Sequence, residues 1–467
     1  MNLKFDFKNY NYSRFFIISI VFLILFFLIK IITPVIGKTI ILTLLVFLLL
    51  LALSKFKNLT KHWKSVAVGY VISLTIISSF WIVKQVIWNF KNPHDWDFLC
   101  FYLYGKVAAS GLNFYIPSYY HDILNSLTLP FTLSSDFING ALVFQYFPPN
   151  IFYFLPLGFL NFNSAHIIWV ITNGIFLVVD IYLVWKYFSG QIEIKTFLAV
   201  ATLFFLLPGT QTAIYFEHYT FILMFPLLLA WKDRDLPRSG IWLSIGIFTK
   251  PLLIILLIYP LIRRQWKTIL AIFLTSSIII LLNITVFGYN EFVTFLNHNP
   301  NSYLPNDDYI EWENQSLLAT ILRLTNYNFN YITPLMHPLF IILCMFFIII
   351  TLILVYRIDI QKSEWGFSLI LLMSLIIYPG SLNSYSPLII PILTLLFIQH
   401  ESNYFNKWIT MIVIASVYSI MKLNPFASHI ILWFTVAFLI LKVMIPRESS
   451  RDSVKQFEAS YKVPKHN

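Results

Sequence analysis

An all-α, polytopic integral membrane protein is what this sequence predicts, and three observations carry the prediction. Hydrophobic residues fill 58% of the 467 positions and charged residues only 11%, against roughly 25% charged in soluble domains. The mean hydropathy is +0.75. Apolar runs long enough for a helix to cross a bilayer, about 20 residues, recur from end to end. A membrane barrel would show short alternating segments instead.

The net charge of +11 does not point to nucleic acid. Lys and Arg cluster in short loops between apolar runs, as the positive-inside rule expects of cytoplasmic loops. The two cysteines, Cys100 and Cys344, stand in unlike settings, and the sequence around them offers neither a disulfide nor a metal-ligand pattern. Lys4, Lys8 and Arg14 precede the first apolar run. No small-residue cleavage site follows it, so it reads as a retained helix rather than a signal peptide.

Apolar helices are expected at about 15–33, 39–54 and 66–89. Lys55, Lys57, Lys61 and Lys64 between the last two mark a cytoplasmic loop. A first large outer loop then spans 90–143, with Asp95, Asp97, Asp122 and Asp136 against Lys91 and Lys106. The stretch 144–160 holds three prolines and reads as a short or broken span, tolerated where neighbours satisfy the freed backbone groups. Apolar runs follow at 164–187, 196–213 and 219–231, then a charged cytoplasmic loop at 232–238.

Residues 239–262 pose a topological puzzle, because basic residues flank both ends and Lys250-Pro251 stands in the middle. A charge at the membrane centre costs roughly 3 kcal/mol on insertion scales. Two half-length helices in a hairpin, with Lys250 at the tip, satisfy both facts. A single tilted helix with Lys250 snorkelling is the alternative. A helix at 268–288 leads to a second outer loop, 289–313, carrying Glu291, Asp307, Asp308, Glu311 and Glu313 without Lys or Arg. Later helices are expected near 332–356, 365–379, 386–398, 408–422 and 426–445, giving about 12 or 13 membrane segments in all. The tail 446–467 is expected to be cytoplasmic. No internal repeat is visible, and many transporters carry one.

The chemistry-bearing candidates lie in the outer loops and the hairpin. Asp95 and Asp97 are two apart and would face different sides of a helix, so one of them at most faces a shared cavity. Glu217 and His218 sit at an outer helix start, where an acid also suits the helix dipole. The acids 307–313 carry oxygen ligands that suit Mg²⁺ or Ca²⁺, but a solvated loop explains them as well. No Walker, dinucleotide or haem motif occurs.

The motifs come in a telling order: Asp97-Phe98, Phe101-Tyr102, Gly111 to Tyr115, Phe144-x-Tyr146-x-Pro148, Pro156-Leu157, Gly240 to Gly246, Lys250-Pro251, Arg263-Arg264, then Asn314-Gln315-Ser316 with Arg323. This order resembles glycosyltransferase family 87, polytopic enzymes of the GT-C class that use polyprenyl-phosphate sugars, typically mannose. The resemblance runs from about residue 66 to about 400. It implies Asp97, whose spacing fits where that of Asp95 does not, as catalytic base, Lys250 and Arg323 as cations for the donor phosphate, and Tyr102, Tyr146, Asn314 and Gln315 at matching positions; Asp95, Glu217, His218 and Tyr385 are further candidates for substrate binding. It implies no metal and no other cofactor. Two places depart from the family pattern. Relatives carry Gly-Gln-x-Asn where this chain has Glu217-His218-Tyr219-Thr220. They also carry a histidine near the end of a Ser-Pro-x-Ser-Trp-x-His stretch where Tyr385 stands here.

The resulting expectation is a GT-C-like catalytic domain at 65–445, two extra N-terminal helices within 1–64 and a cytoplasmic tail. It would transfer a hexose, mannose first of all, from a polyprenyl-phosphate donor to a lipid-linked or surface glycan. The transfer would be inverting, at the outer face of the cytoplasmic membrane. A multi-pass transporter or flippase of a lipid-linked glycan is the rival, and it would concentrate its charges near the bilayer midplane.

Overall fold

The computed structural model describes residues 76, 78–92, 97–133, 144, 146–189, 193–297, 314–325, 335, 337–358, 363–399 and seven positions between 429 and 441. The helices expected at 15–33, 39–54 and 408–422, most of 426–445, the tail, Asp95 and the acids 307–313 lie outside them.

The described residues are helical, and one isolated antiparallel bridge, Asn314 to Leu382, is their extended pairing. Helix α1 covers 78–91. Then come α2 (Asp97–Ala109), α3 (Pro117–Ser126), a 3₁₀ turn (Pro148–Asn150) running into α4 (Ile151–Gly158), and α5 (Phe162–Phe188). Next are α6 (Ile194–Leu206), α7 (Pro208–Tyr215), α8 (Thr220–Lys232) and α9 (Ser239–Thr249). A 3₁₀ segment (Pro251–Leu257) leads into α10 (Ile258–Ile262), followed by α11 (Trp266–Phe287) and α12 (Asn290–Asn297). Last come α13 (Leu317–Thr325), α14 (Pro338–Arg357), α15 (Ser363–Ile377), a 3₁₀ segment (Asn383–Ile389) and α16 (Ile390–Gln399).

Helices α5, α11 and α14 are long and apolar enough to cross a membrane. The apolar run expected at 196–213 is broken: α6 and α7 meet at 62°. Pro208 explains the break, because it has no N–H to give and its ring clashes with the preceding turn. This is a multi-pass, mostly helical membrane protein. The exposed side chains of α11, among them Phe273, Leu274, Ile278 and Leu281, are apolar, as a lipid-facing helix requires.

Two buried clusters organise the interior. The larger joins α5 to α8, the hairpin and α14 to α16. The smaller, rich in Phe and Tyr, joins α2, α3, α4 and the start of α5. Its closest approach is between Gly105 and Gly158. A Cβ on Gly105 would stand 2.1 Å from the Phe154 carbonyl oxygen, and one on Gly158 would stand 2.0 Å from that of Gly105. Only glycine lets the two backbones come so near.

The puzzle of 239–262 resolves into a hairpin. α9 runs out from Ser239 and stops at Thr249, and the chain returns from Pro251 to Ile262. Its ends meet: the Tyr259 hydroxyl donates to Asp235 at 3.1 Å, and the Gln265 amide donates to the same carboxylate at 3.2 Å. Pro251 ends α9 because it cannot continue the helical hydrogen bonds. The carbonyls of Phe248 and Thr249 are therefore released inside the protein. The Asn150 amide donates to both, at 3.1 Å to Phe248, and the Tyr153 and Thr249 hydroxyls share a bond at 2.7 Å. The proline-rich turn before α4 thus seats the hairpin tip.

Candidate active site

Lys250 sits at that tip, in extended backbone between α9 and the 3₁₀ return. Its ammonium lies over three aromatic rings, 4.7 Å from the Tyr146 centroid, 5.2 Å from Tyr385 and 6.0 Å from Tyr219. Each such contact is worth about 0.5–2 kcal/mol, the larger values where water is excluded. Among the described residues the Lys250 ammonium has no hydrogen bond and no ion pair. The cage therefore holds the cation by ring faces and leaves its three N–H donors unspent.

Asp97 supplies the opposite charge. It opens α2, where the helix dipole suits a carboxylate. It lies within Coulombic reach of Lys250 and of the hydroxyls of Tyr104, Tyr146 and Tyr385. The stripe i, i+4 along α2 explains its direction. Phe101, one turn on, packs edge-on against Tyr219 at 5.2 Å and stacks on Phe154 at 4.7 Å. Phe98 and Tyr102 share the neighbouring stripe and pack on Phe162 instead.

Three further strands of contact build the walls. His218 stacks on Tyr219 at 4.7 Å and meets Tyr385 edge-on at 4.9 Å. Its Nε2 is 3.1 Å from the Tyr385 hydroxyl and its Nδ1 is 2.7 Å from Thr220 Oγ1. The Tyr219 hydroxyl lies beside those of Tyr146 and Tyr385 without a well-formed hydrogen bond. Tyr385 is held from behind: Thr220 donates to the Ser384 carbonyl at 2.8 Å and Asn383 donates to Thr212 at 3.1 Å.

The site residues expected from the sequence separate into two sets. Asp97, Tyr146, Lys250, His218 and Tyr385 come together. The two places where the chain departs from the family pattern, 217–220 and 385, are in direct contact. The other set faces elsewhere. Tyr102 is buried, with its hydroxyl donating to the Leu160 carbonyl at 3.1 Å. Glu217 adopts φ 59°, a left-handed conformation that costs a non-glycine residue roughly 1–2 kcal/mol. Its carboxylate turns to His166 at 2.8 Å, while the next side chain enters the cage. Asn314 and Gln315 clamp the segment that leads to Tyr385. Asn314 donates to the Pro379 carbonyl, Gln315 donates through its backbone to Ser381 and through its side chain to Asn383. Arg323 braces the clamp through Nη1 to the Asn314 carbonyl at 3.0 Å.

Tyr219 and Asn150 escaped the sequence reading. Tyr219 carried a signal, its place beside His218. Asn150 follows two prolines and carried none, because its partners lie 98 and 99 residues away.

Fold and site together define a multi-pass membrane protein with a caged cation facing a carboxylate. The model of glycosyltransferase family 87 matches residues 144–380, about half of the chain, and the chain belongs to that family. Glycosyltransferase activity follows at the level of the family. Comparison with curated proteins and with solved structures gives no match. Tyr146, His218, Lys250 and Arg323 fall inside the matched stretch, whereas Asp97 and Tyr385 fall outside it. Their place beside Lys250 is a matter of three-dimensional arrangement.

Proposed function

We propose that this protein transfers a hexose, mannose in the first instance, from a polyprenyl-phosphate sugar to a lipid-linked or surface glycan, with inversion, at the outer face of the cell membrane. The observation that carries the reading is Lys250. A buried cation is ordinarily paired; this one is caged by ring faces, keeps its donors unspent and has Asp97 in reach. A phosphate supplies acceptors for those donors, and Lys binds it as a point charge.

The chemistry is a single displacement. The Asp97 carboxylate takes the proton of the acceptor hydroxyl. The acceptor oxygen forms its bond to the anomeric carbon as the bond from that carbon to the phosphate oxygen breaks. The bonding pair leaves on the polyprenyl phosphate, beside Lys250. In this reading Arg323, Asn314 and Gln315 serve the site through the segment they clamp, which carries Tyr385. Tyr102 and Glu217 belong to its surround. The catalytic domain spans 65–445, with 1–64 and 446–467 as additions to it.

Membranes supplied with labelled polyprenyl-phosphate mannose and endogenous acceptor test the proposal. Asp97→Asn is expected to lower transfer by about 10²–10⁴-fold, the usual contribution of a general base. Lys250→Met is expected to weaken donor binding. Full transfer by purified Asp97→Asn protein overturns the assignment of the base.

A further inference from the structure

The polar contacts behind the cage have a direction, and hydrogen counting finds it. Thr220 has one hydroxyl proton, and it goes to the Ser384 carbonyl at 2.8 Å, a group that can only accept. His218 Nδ1 lies 2.7 Å from the same Thr220 oxygen. With the Thr220 proton spent, Nδ1 must carry the proton of that bond. The imidazole is 4% exposed and has the Lys250 cation as a neighbour, so a second proton on it would be a buried, unpaired charge beside a like charge. The neutral ring then presents a lone pair at Nε2. The Tyr385 hydroxyl, 3.1 Å away, donates to it.

Every proton in this relay is therefore spent on a protein acceptor within it. Tyr385 gives its proton to His218, His218 to Thr220, and Thr220 to the Ser384 backbone. What Tyr385 has left is acceptor capacity on its oxygen, next to the Tyr219 hydroxyl, and a ring face 5.2 Å from the ammonium. We infer that His218 is a positioning residue for Lys250, acting through Tyr385: its Nδ1–H tautomer orients the phenol so that only electron-rich surface meets the cation. Both ring nitrogens are spent within the protein, so His218 serves the donor phosphate indirectly. The inference rests on the proposed role of Lys250 as phosphate ligand.

Two measurements test it. The first is the ¹⁵N spectrum of the full-length protein with labelled histidine, reconstituted in lipid, with the His218 signals assigned by their loss in His218→Gln. Protonated Nδ1 and unprotonated Nε2 are expected; an Nε2–H tautomer overturns the relay whatever the protein's activity. The second is the affinity for a C55 polyprenyl phosphate. Relative to the unaltered protein, about 10-fold loss is expected for His218→Leu and for Tyr385→Phe. Groups acting through one another do not add, so the double variant should be no weaker than Tyr385→Phe alone. His218→Gln, whose amide oxygen can accept from Tyr385, should restore most of the binding. Losses that multiply in the double variant, or unchanged affinity in His218→Leu, overturn the positioning role. If Lys250→Met binds the polyprenyl phosphate as well as the unaltered protein does, the proposed function fails instead, and the tautomer still decides the relay.

Discussion

Lys250 and Glu291 show how differently burial acts on single side chains. Lys250 is stabilised by ring faces that cannot accept its protons fully, which leaves it able to bind an anion. Glu291, on the short amphipathic α12 beyond the end of α11, is buried with its Oε2 unpartnered among the described residues. Desolvation pushes its carboxyl up from 4.5 to about 7. The folded form therefore holds this proton more tightly than the unfolded chain does. The stabilisation is fully present below about 4.5 and is lost as pH rises through about 7. Glu291→Gln, which stays neutral, should flatten that part of the stability profile. Thermal unfolding in detergent from pH 4 to 8 reads it, and an unaltered slope in the variant would rule out Glu291 as the titrating group.

The hairpin is the element on which the site depends. Its apolar halves would suit a continuous membrane helix. Pro251 forbids that, and Asn150 makes the break tolerable by taking the Phe248 and Thr249 carbonyls. Removing a buried donor while leaving its acceptors in place costs about 1–3 kcal/mol. Asn150→Leu should therefore loosen the tip and lower sugar transfer without touching a substrate. Faster amide exchange at 246–254, with the cores of α5 and α14 unchanged, is the expected signature. Uniform protection would mean that Asn150 is dispensable to the tip. The Gly105–Gly158 crossing works at the same level, since it sets how closely α2, and with it Asp97, approaches α4 and the seated hairpin.

Across the whole molecule, the site lies at one end of the hairpin and a charged network lies at the other. Arg234 donates to Ser363 at 2.8 Å and to Glu364 at 2.9 Å, and Ser363 donates to Asp235 at 2.6 Å. Tyr259 joins through the same Asp235. The network ties the loop after α8, the helical return limb of the hairpin and the start of α15 into one latch. Arg234→Glu should cost about 2 kcal/mol, the usual range for a hydrogen bond to a charged partner. Adding Glu364→Arg should recover part of that loss. Unfolding midpoints of the single and double variants test this coupling; a double variant no more stable than the single one would deny it.

Much of this was legible in the chain because it is local. Hydropathy and run length mark a helical membrane protein, and the position of Lys250-Pro251 between two basic flanks left a hairpin and a single tilted helix open, which the fold resolves as the hairpin. The order of short motifs, through its resemblance to family 87, singled out Asp97, Tyr146 and Lys250. Other features depended on folding. Pro208 turns one expected span into two helices at 62°, and an adjacent apolar run hides such a bend from any hydropathy window. Asn314 and Gln315 have polar side chains whose partners no spacing rule names, and the fold sends them to the 379–383 segment. The His218–Tyr385 contact joins residues 167 apart. Class and candidate residues follow from composition and short-range periodicity, because solvation by lipid acts on each segment separately. Which candidates meet is decided by packing between distant helices, because burial lets hydrogen bonds and charges act only on what the fold places next to them.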